Sequence, residues 1–424
     1  MRVLVVTTEP VPLEGLMTTG AGLRAWGLVQ GLRSRGIDAE IAMARDGVSR
    51  WPTDKQDQWK DHIFDRETLT EFVEFHKPDV LVMQHWGLMD RLGPVSMPLA
   101  IDLAGPHLLE RMFWQSKHPL EDIKDKINAL SRADFLTCSG SNQRFYFMSY
   151  ALMAGFDISG PDTLPIIPFS LSPDLPPERE HYPDQWVYAG MLLPWQNPTT
   201  AIRATIKVMT AKNHGTFHFV GGAHPGGDVS RGKFDAIMSE LRLSEHARIQ
   251  ETRSFDALCD FLSRCGLAVD LMARNSEREL AWPSRTVVYL ACGLPVVHSA
   301  WSELADWISE YDAGWLADDN DPEAIERLLA SILDDPDSLQ AKRQNARRLV
   351  RERLTWDKTI SPLADWCANP TPRDPDQARD NLADYIKRLE AETDTISEAY
   401  NELKGRRMVK ISDQLRRFRK DILP

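Results

Sequence analysis

Residues 271–298 read LMARNSERELAWPSRTVVYLACGLPVVH. Pro283 followed by Ser284 stands where a helix begins, since proline loses nothing by lacking an N–H at a first helical position. Val287, Val288, Leu290 and Ala291 then recur at the spacing of one buried helix face. Gly293-Leu294-Pro295 stops that helix, and 294–298 launches a short β-branched run of the kind buried on both faces of a parallel sheet. Just upstream, 266–270 (GLAVD) is another such run. Strand, loop, helix and strand in this order form the unit of a doubly wound parallel α/β domain.

The same unit repeats on both sides. Runs at 185–190, 216–221 and 247–250 lead up to the quoted stretch, and a strand-like Gly314-Trp315-Leu316 follows it. An earlier series has strands at 3–7, 37–44, 77–83, 98–103 and 134–138. After its first strand a loop with Gly20 and Gly22 enters a helix whose inner side carries Leu23, Trp26, Val29 and Leu32, closed by Gly36. Between the two series lie Pro161, Pro165, Pro168, Pro173, Pro176, Pro177 and Pro183, too dense for regular structure, which reads as the interdomain connection. The expected fold is α/β, with two doubly wound Rossmann-like domains facing a cleft and a helical tail. The expected boundaries are 1–165, 174–350, a return to the first domain at 351–367, and a tail at 376–424.

Composition narrows the class. With 424 residues, 42% hydrophobic and 26% charged, the chain can bury a core in each of two domains. No apolar run approaches the ~18 residues that span a bilayer. The opening MRVLVVTTEP enters a strand directly, without a cleavage site, so no signal peptide and a cytoplasmic location are expected. Cys138, Cys259, Cys265, Cys292 and Cys367 show no C-x-x-C spacing, which suggests reduced thiols rather than a zinc site or disulfide framework. A net charge of −12 argues against nucleic acid as a partner.

The tail departs from that balance. Leu382, Leu389, Ile396 and Leu403 repeat every seven residues, with Ile386, Thr393 and Tyr400 at the complementary positions. This predicts a coiled coil and an oligomer through 382–403, against a single amphipathic helix lying on the body. Residues 404–424 then carry eight basic and two acidic groups. Met408, Ile411, Leu415, Phe418 and Ile422 fall on one helical stripe, predicting peripheral membrane contact through 405–424. Docking of that stripe on the acidic body or on a partner is the competing expectation.

Ligands of doubly wound sheets bind beyond the carboxyl ends of the strands, where helix N-termini present N–H groups to a diphosphate. Ser284 opens such a helix. Arg274, Arg278 and Arg285 surround it and would supply bidentate phosphate contacts, unless they pair with Glu277 and Glu279. Gly20 and Gly22 would let backbone approach a ligand, or simply serve a turn. Asp102 and His107 end a first-domain strand at the cleft, and His85 follows another. His107 is expected to hydrogen-bond a sugar hydroxyl or developing charge, with Asp102 orienting it or acting as base. The bland alternative for both histidines is a capping or core-edge role. His224, between glycines, is a weaker candidate. Asp318-Asp319-Asn320-Asp321 reads as a helix cap, and no metal site is expected.

The sequence PSRTVVYLACGLPVV (283–297) followed by SELADWISEYDAGWL (302–316) resembles the donor-binding core of retaining GT-B glycosyltransferases, in particular the large family 4 (group 1) of bacterial surface-polysaccharide biosynthesis. The resemblance extends over 1–367 and is detailed in 266–320. YAGMLLPW, with Gly190, FVGG, with Gly221, and Trp356 are further similar pieces. It implies transfer of a sugar from a nucleotide-diphosphate sugar, the co-substrate, to a glycan or lipid-linked glycan, and the basic amphipathic tail points to work at the inner membrane face. Retention, and catalysis with no metal or other cofactor, are likewise implied. Beside the arginines, Gly20, Gly22, Gly190, Gly221 and Ser284 are the candidates for the diphosphate, and Glu279 or Glu277 for a donor hydroxyl. The chain departs from the family where two glutamates eight apart are usual, the second position being Val288. It also departs after the first glycine of the second domain, where Met191, Gln196 and Asn197 replace the usual Arg and Lys. Arg274, Arg278 and Arg285 are the expected replacements. These departures keep two alternatives open: a catalytically silent subunit scaffolding a polysaccharide-synthesis complex, and a nucleotide-sugar epimerase on the same fold.

Overall fold

The computed structural model describes residues 1–114, 118–160, 163–222, 231–374, 381–405 and 407–422. His224 lies outside the described residues. The first half runs β1 (Arg2–Thr7), α1 (Gly20–Ser34), β2 (Asp38–Ala44), α2 (Thr53–Gln58), β3 (Ile63–Phe64), α3 (Leu69–His76), β4 (Val80–Gln84), β5 (Leu99–Leu103), α4 (His107–Phe113), α5 (Pro119–Ser131), β6 (Phe135–Cys138) and α6 (Ser141–Met153). The second half runs β7 (Tyr182–Ala189), α7 (Thr199–Lys212), β8 (Thr216–Val220), α8 (Arg231–Arg242), β9 (Ala247–Gln250), α9 (Phe255–Arg264), β10 (Cys265–Asp270), α10 (Ser276–Leu280), α11 (Ser284–Ala291), β11 (Val296–Ser299), α12 (Ala305–Glu310), β12 (Gly314–Ala317), α13 (Pro322–Asp334) and α14 (Asp337–Arg353). Among the described residues the last helices are α15 (Trp356–Thr359), α16 (Ser361–Ala368), α17 (Leu382–Gly405) and α18 (Arg407–Ile422).

Each half builds one six-stranded sheet, in the orders β3-β2-β1-β4-β5-β6 and β12-β11-β10-β7-β8-β9. Neighbouring strands in both run parallel. Helices on both faces exclude water from the strands, so Val3, Val5, Val6, Val80, Leu81 and Val82 are all wholly buried. In each sheet the chain builds outward from a first strand, then restarts on its other side. That reversal falls between β1 and β4 and between β7 and β10, and opens a crevice at their carboxyl ends.

The proline-rich segment is extended but packed. Bridges join Cys138 to Ile166 and Leu171 to Thr355, and Leu164, Ile167, Phe169 and Leu171 are buried. On α15 and α16 the chain lies back on the first sheet: Ile360, Leu363, Ala364 and Cys367 share a core with Val3, Val5, Leu28 and Leu32. Asp321 caps α13 by accepting from the Ala324 N–H at 2.8 Å, ahead of Pro322.

Helix α17 touches the body near its start, where Ala383 joins the first core and Lys124 pairs with Glu390 at 2.7 Å. Farther on, Ile396, Tyr400 and Leu403 are exposed, as are Ile411, Leu415 and Phe418 of α18. No described helix is long and apolar enough to cross a membrane.

Candidate active site

The two crevices face each other. Phe255 N–H donates to the Leu16 carbonyl at 3.2 Å and Gly15 N–H to Asp256 at 3.1 Å. Asn142 on α6 donates to the Glu279 carbonyl at 3.0 Å. Glu303, in the loop after β11, accepts from the N–H groups of Ser141 and Asn142 and so caps α6 of the other domain. At the centre the first residues of α1 and α11 meet: a Cβ on Gly20 would lie 3.1 Å from Ser284 Oγ. Helix α11 has no side-chain N-cap; its Ser284 N–H bonds the Trp282 carbonyl at 2.9 Å, which leaves the Arg285 and Thr286 N–H groups uncapped beside this gap.

The three arginines occupy different settings. Arg285 turns down between the ends of β7 and β10. Its guanidinium donates to Tyr188 Oη at 2.7 Å and Gln196 Oε1 at 2.7 Å, lies 3.4 Å from Asp270, and stacks over the Tyr188 ring. Burial works against its charge, but Tyr188 and Asp270 more than offset that and hold its pKa above the ordinary value. Burial pushes the Tyr188 phenol up to about 12, so it stays neutral. Arg278 forms a two-pronged pair with Glu277, which is fully buried; burial raises the Glu277 pKa against the opposing pull of Arg278. Arg274 is exposed and paired with Glu279. The competing expectation therefore describes Arg274 and Arg278: Arg278 takes both Glu277 oxygens, whereas Glu279 meets Arg274 through Oε1 alone.

Three of the four glycines make room for the protein itself. A Cβ on Gly22 would fall 1.9 Å from the Pro10 carbonyl, and one on Gly221 2.1 Å from the Gly190 carbonyl. On Gly190 it would strike the Arg285 guanidinium at 2.6 Å. Gly22, Gly190 and Gly221 thus serve close packing, and Gly20 is the one that faces the gap.

On the first domain, His85 and His107 come together at the ends of β4 and β5. Their rings meet edge to face, centroids 4.6 Å apart, with Trp86 beside them. His107 Nδ1 lies 3.3 Å from Glu110 Oε2. His85 Nδ1 accepts from the Gly87 N–H at 2.9 Å, which fixes a neutral ring with its proton on Nε2. Burial, then His107 and Lys126, hold its pKa well below the usual histidine range. His85 also has φ +96°, a backbone conformation that a non-glycine residue keeps only where its surroundings impose it.

Asp102 does not orient His107. Its carboxylate is clamped by Arg24 at 2.8 and 2.9 Å and by the Thr137 hydroxyl at 2.7 Å, all buried. Arg24 was not legible because arginine on a helix reads as surface. Glu110, Tyr188, Thr286 and Glu303 also escaped the sequence reading. Asp270, bonded to the Thr286 hydroxyl at 2.6 Å, carried a usable signal as the last residue of a buried strand beside the crevice.

A cavity of about 110 Å³ adjoins the start of α11, lined in part by Trp282, Ser284, Arg285, His298 and Ser302. The residues around it fall within a stretch of known kind. Residues 177–349 match the family Glycosyl transferases group 1. The group 1 segment runs from before β7 into α14 and so contains the whole second sheet. No curated protein sequence matches the chain significantly. Among solved structures the chain is similar to Anabaena HepE in complex with UDP and glucose, 14% identical, TM-score 0.61, covering 87% of this chain and 99% of that one. It is also similar to a sucrose-phosphate synthase from Thermosynechococcus elongatus, 14% identical, TM-score 0.60, covering 87% and 98%. A third is WaaG, a glycosyltransferase involved in lipopolysaccharide biosynthesis, 13% identical, TM-score 0.58, covering 87% and 100%. The architecture is GT-B, with two Rossmann-like domains and a helical C-terminal region.

Proposed function

We propose that the chain transfers a sugar from a nucleoside-diphosphate sugar to a glycan or lipid-linked glycan, with retention at the anomeric carbon. The observation that carries this reading is the meeting of α1 and α11 at Gly20 and Ser284, within reach of Arg285. A diphosphate in that gap meets α11 N–H groups, the positive ends of two helix dipoles and a permanently charged guanidinium. Arg285 stands beside Gly190, where the family's usual cation is replaced by Met191, so it supplies the missing charge from the other side of the crevice. No metal enters this scheme. The transferring sugar lies toward His107, whose ring hydrogen-bonds a hydroxyl or the charge developing as the glycosidic bond breaks. The group 1 match and the UDP and glucose held by the Anabaena structure support the donor class.

The full chain, offered a panel of nucleotide sugars without acceptor, is expected to release nucleoside diphosphate slowly, and His107→Ala to reduce that turnover while leaving donor affinity near wild type. Absence of release from every donor favours the second reading, a catalytically silent subunit. The observation behind that reading is that Arg274, Arg278 and Arg285 all have partners within the chain. We further propose that α17 joins two copies through its heptad positions, a proposal that sedimentation of the intact chain tests.

A further inference from the structure

We infer that α18 docks the protein on an anionic lipid bilayer. The inference is independent of the transferase reading. Its first support is exposure: Ile411, Leu415 and Phe418, spaced four and three apart on one stripe, are 52%, 64% and 68% exposed. A stripe lying on the body would be covered, so among the described residues its apolar face has no occupant.

The second support is charge. Among the described side chains of α18, Lys410, Arg416, Arg417 and Arg419 outweigh the single acid Asp413. Arg419 borders the stripe, and the other three lie around the far side of the helix. Residues 404–424 hold a surplus of six positive charges on a chain whose net charge is −12. An anionic surface would therefore repel the body and attract this segment. A narrow apolar stripe under a broad basic face is the arrangement of a helix lying in the headgroup layer, whereas a coiled-coil seam would be flanked by charges of both signs. Helix α17, leaving the body beyond Glu390, carries α18 outward, so the contact need not bring the acidic domains against the lipid.

The test is co-sedimentation of the full chain with vesicles of phosphatidylcholine alone and of phosphatidylcholine containing phosphatidylserine, at about 0.1 M and about 1 M salt. The chain is expected to pellet with anionic vesicles at low salt, to stay largely in solution with neutral ones, and to be released by high salt. Each basic residue near an anionic surface strengthens binding about fivefold, so reversing Arg416, Arg417 and Arg419 to Glu should reduce it at least a hundredfold. Leu415→Glu with Phe418→Glu should abolish it, with circular dichroism unchanged because the positions are exposed. The inference is overturned if the chain ignores anionic vesicles at low salt, or binds both kinds equally. It is also overturned if Leu415→Glu with Phe418→Glu dissolves an oligomer that binds neither vesicle, which would make the stripe a protein interface.

Discussion

The Arg24–Asp102 pair shows how one residue changes meaning once it is buried. In sequence Asp102 ends a strand at a cleft and invites a catalytic role. In the fold it anchors α1 to β5, with Arg24 also donating to the Ile167 carbonyl of the proline-rich segment. Removing one partner leaves the other charged, dry and alone, which costs about 3–5 kcal/mol. Arg24→Met should therefore lower the urea unfolding free energy of the first domain by that amount; a change within 1 kcal/mol would mean that the pair behaves as an exposed one. His218 makes a similar point about pH. Its Nδ1 accepts from the Gln250 amide at 2.7 Å, which only a neutral ring can do, and burial, then Arg248 and Arg253, lower its pKa to about 4. The unfolded chain takes up that proton near pH 6.5 and the folded chain near 4, so the stabilisation is complete above about 6.5 and lost as pH falls to about 4. That amounts to roughly 3 kcal/mol, and denaturant unfolding at several pH values should show a flatter acid slope for His218→Phe.

Elements were legible to different degrees for physical reasons. Long apolar runs flanked by glycine or proline, such as those that became β1, β4 and β10, identify themselves because both faces must be buried. Strand β3, only Ile63 and Phe64, is too short to show a period, and it owes its place to pairing with Met43 and Ala44. The start of α11 was legible from Pro283-Ser284, yet the pairs that occupy Arg274 and Arg278 depend on rotamers that spacing does not specify. Capping across the cleft is equally invisible, because Glu303 and α6 are far apart in sequence. Gly140 is what allows it, since a Cβ there would lie 2.4 Å from the Glu303 carboxylate. Loss of such a cap costs about 1 kcal/mol. Glu303→Ala should lower stability by about that much and increase the radius of gyration measured by small-angle X-ray scattering as the domains part. An unchanged scattering curve would show that Glu303 does not hold the cleft closed.

At the scale of the whole molecule, two doubly wound domains that each place a helix start against the other form a candidate site that neither holds alone. Gly20 comes from the first domain, and Ser284, Arg285 and Asp270 from the second. Of the residues that sequence placed on the diphosphate, the fold leaves Gly20, Ser284 and Arg285 at the meeting point and assigns the others to packing or ion pairs. The most direct test is calorimetric titration of the full chain, wild type and Arg285→Ala, with a panel of nucleoside diphosphates. At least one is expected to bind the wild type at one site per chain. Arg285→Ala, by removing a charge-assisted contact worth about 1.5–3 kcal/mol, is expected to weaken that binding roughly ten- to 150-fold. Binding of equal strength in both proteins, or none to wild type from any member of the panel, would contradict this expectation.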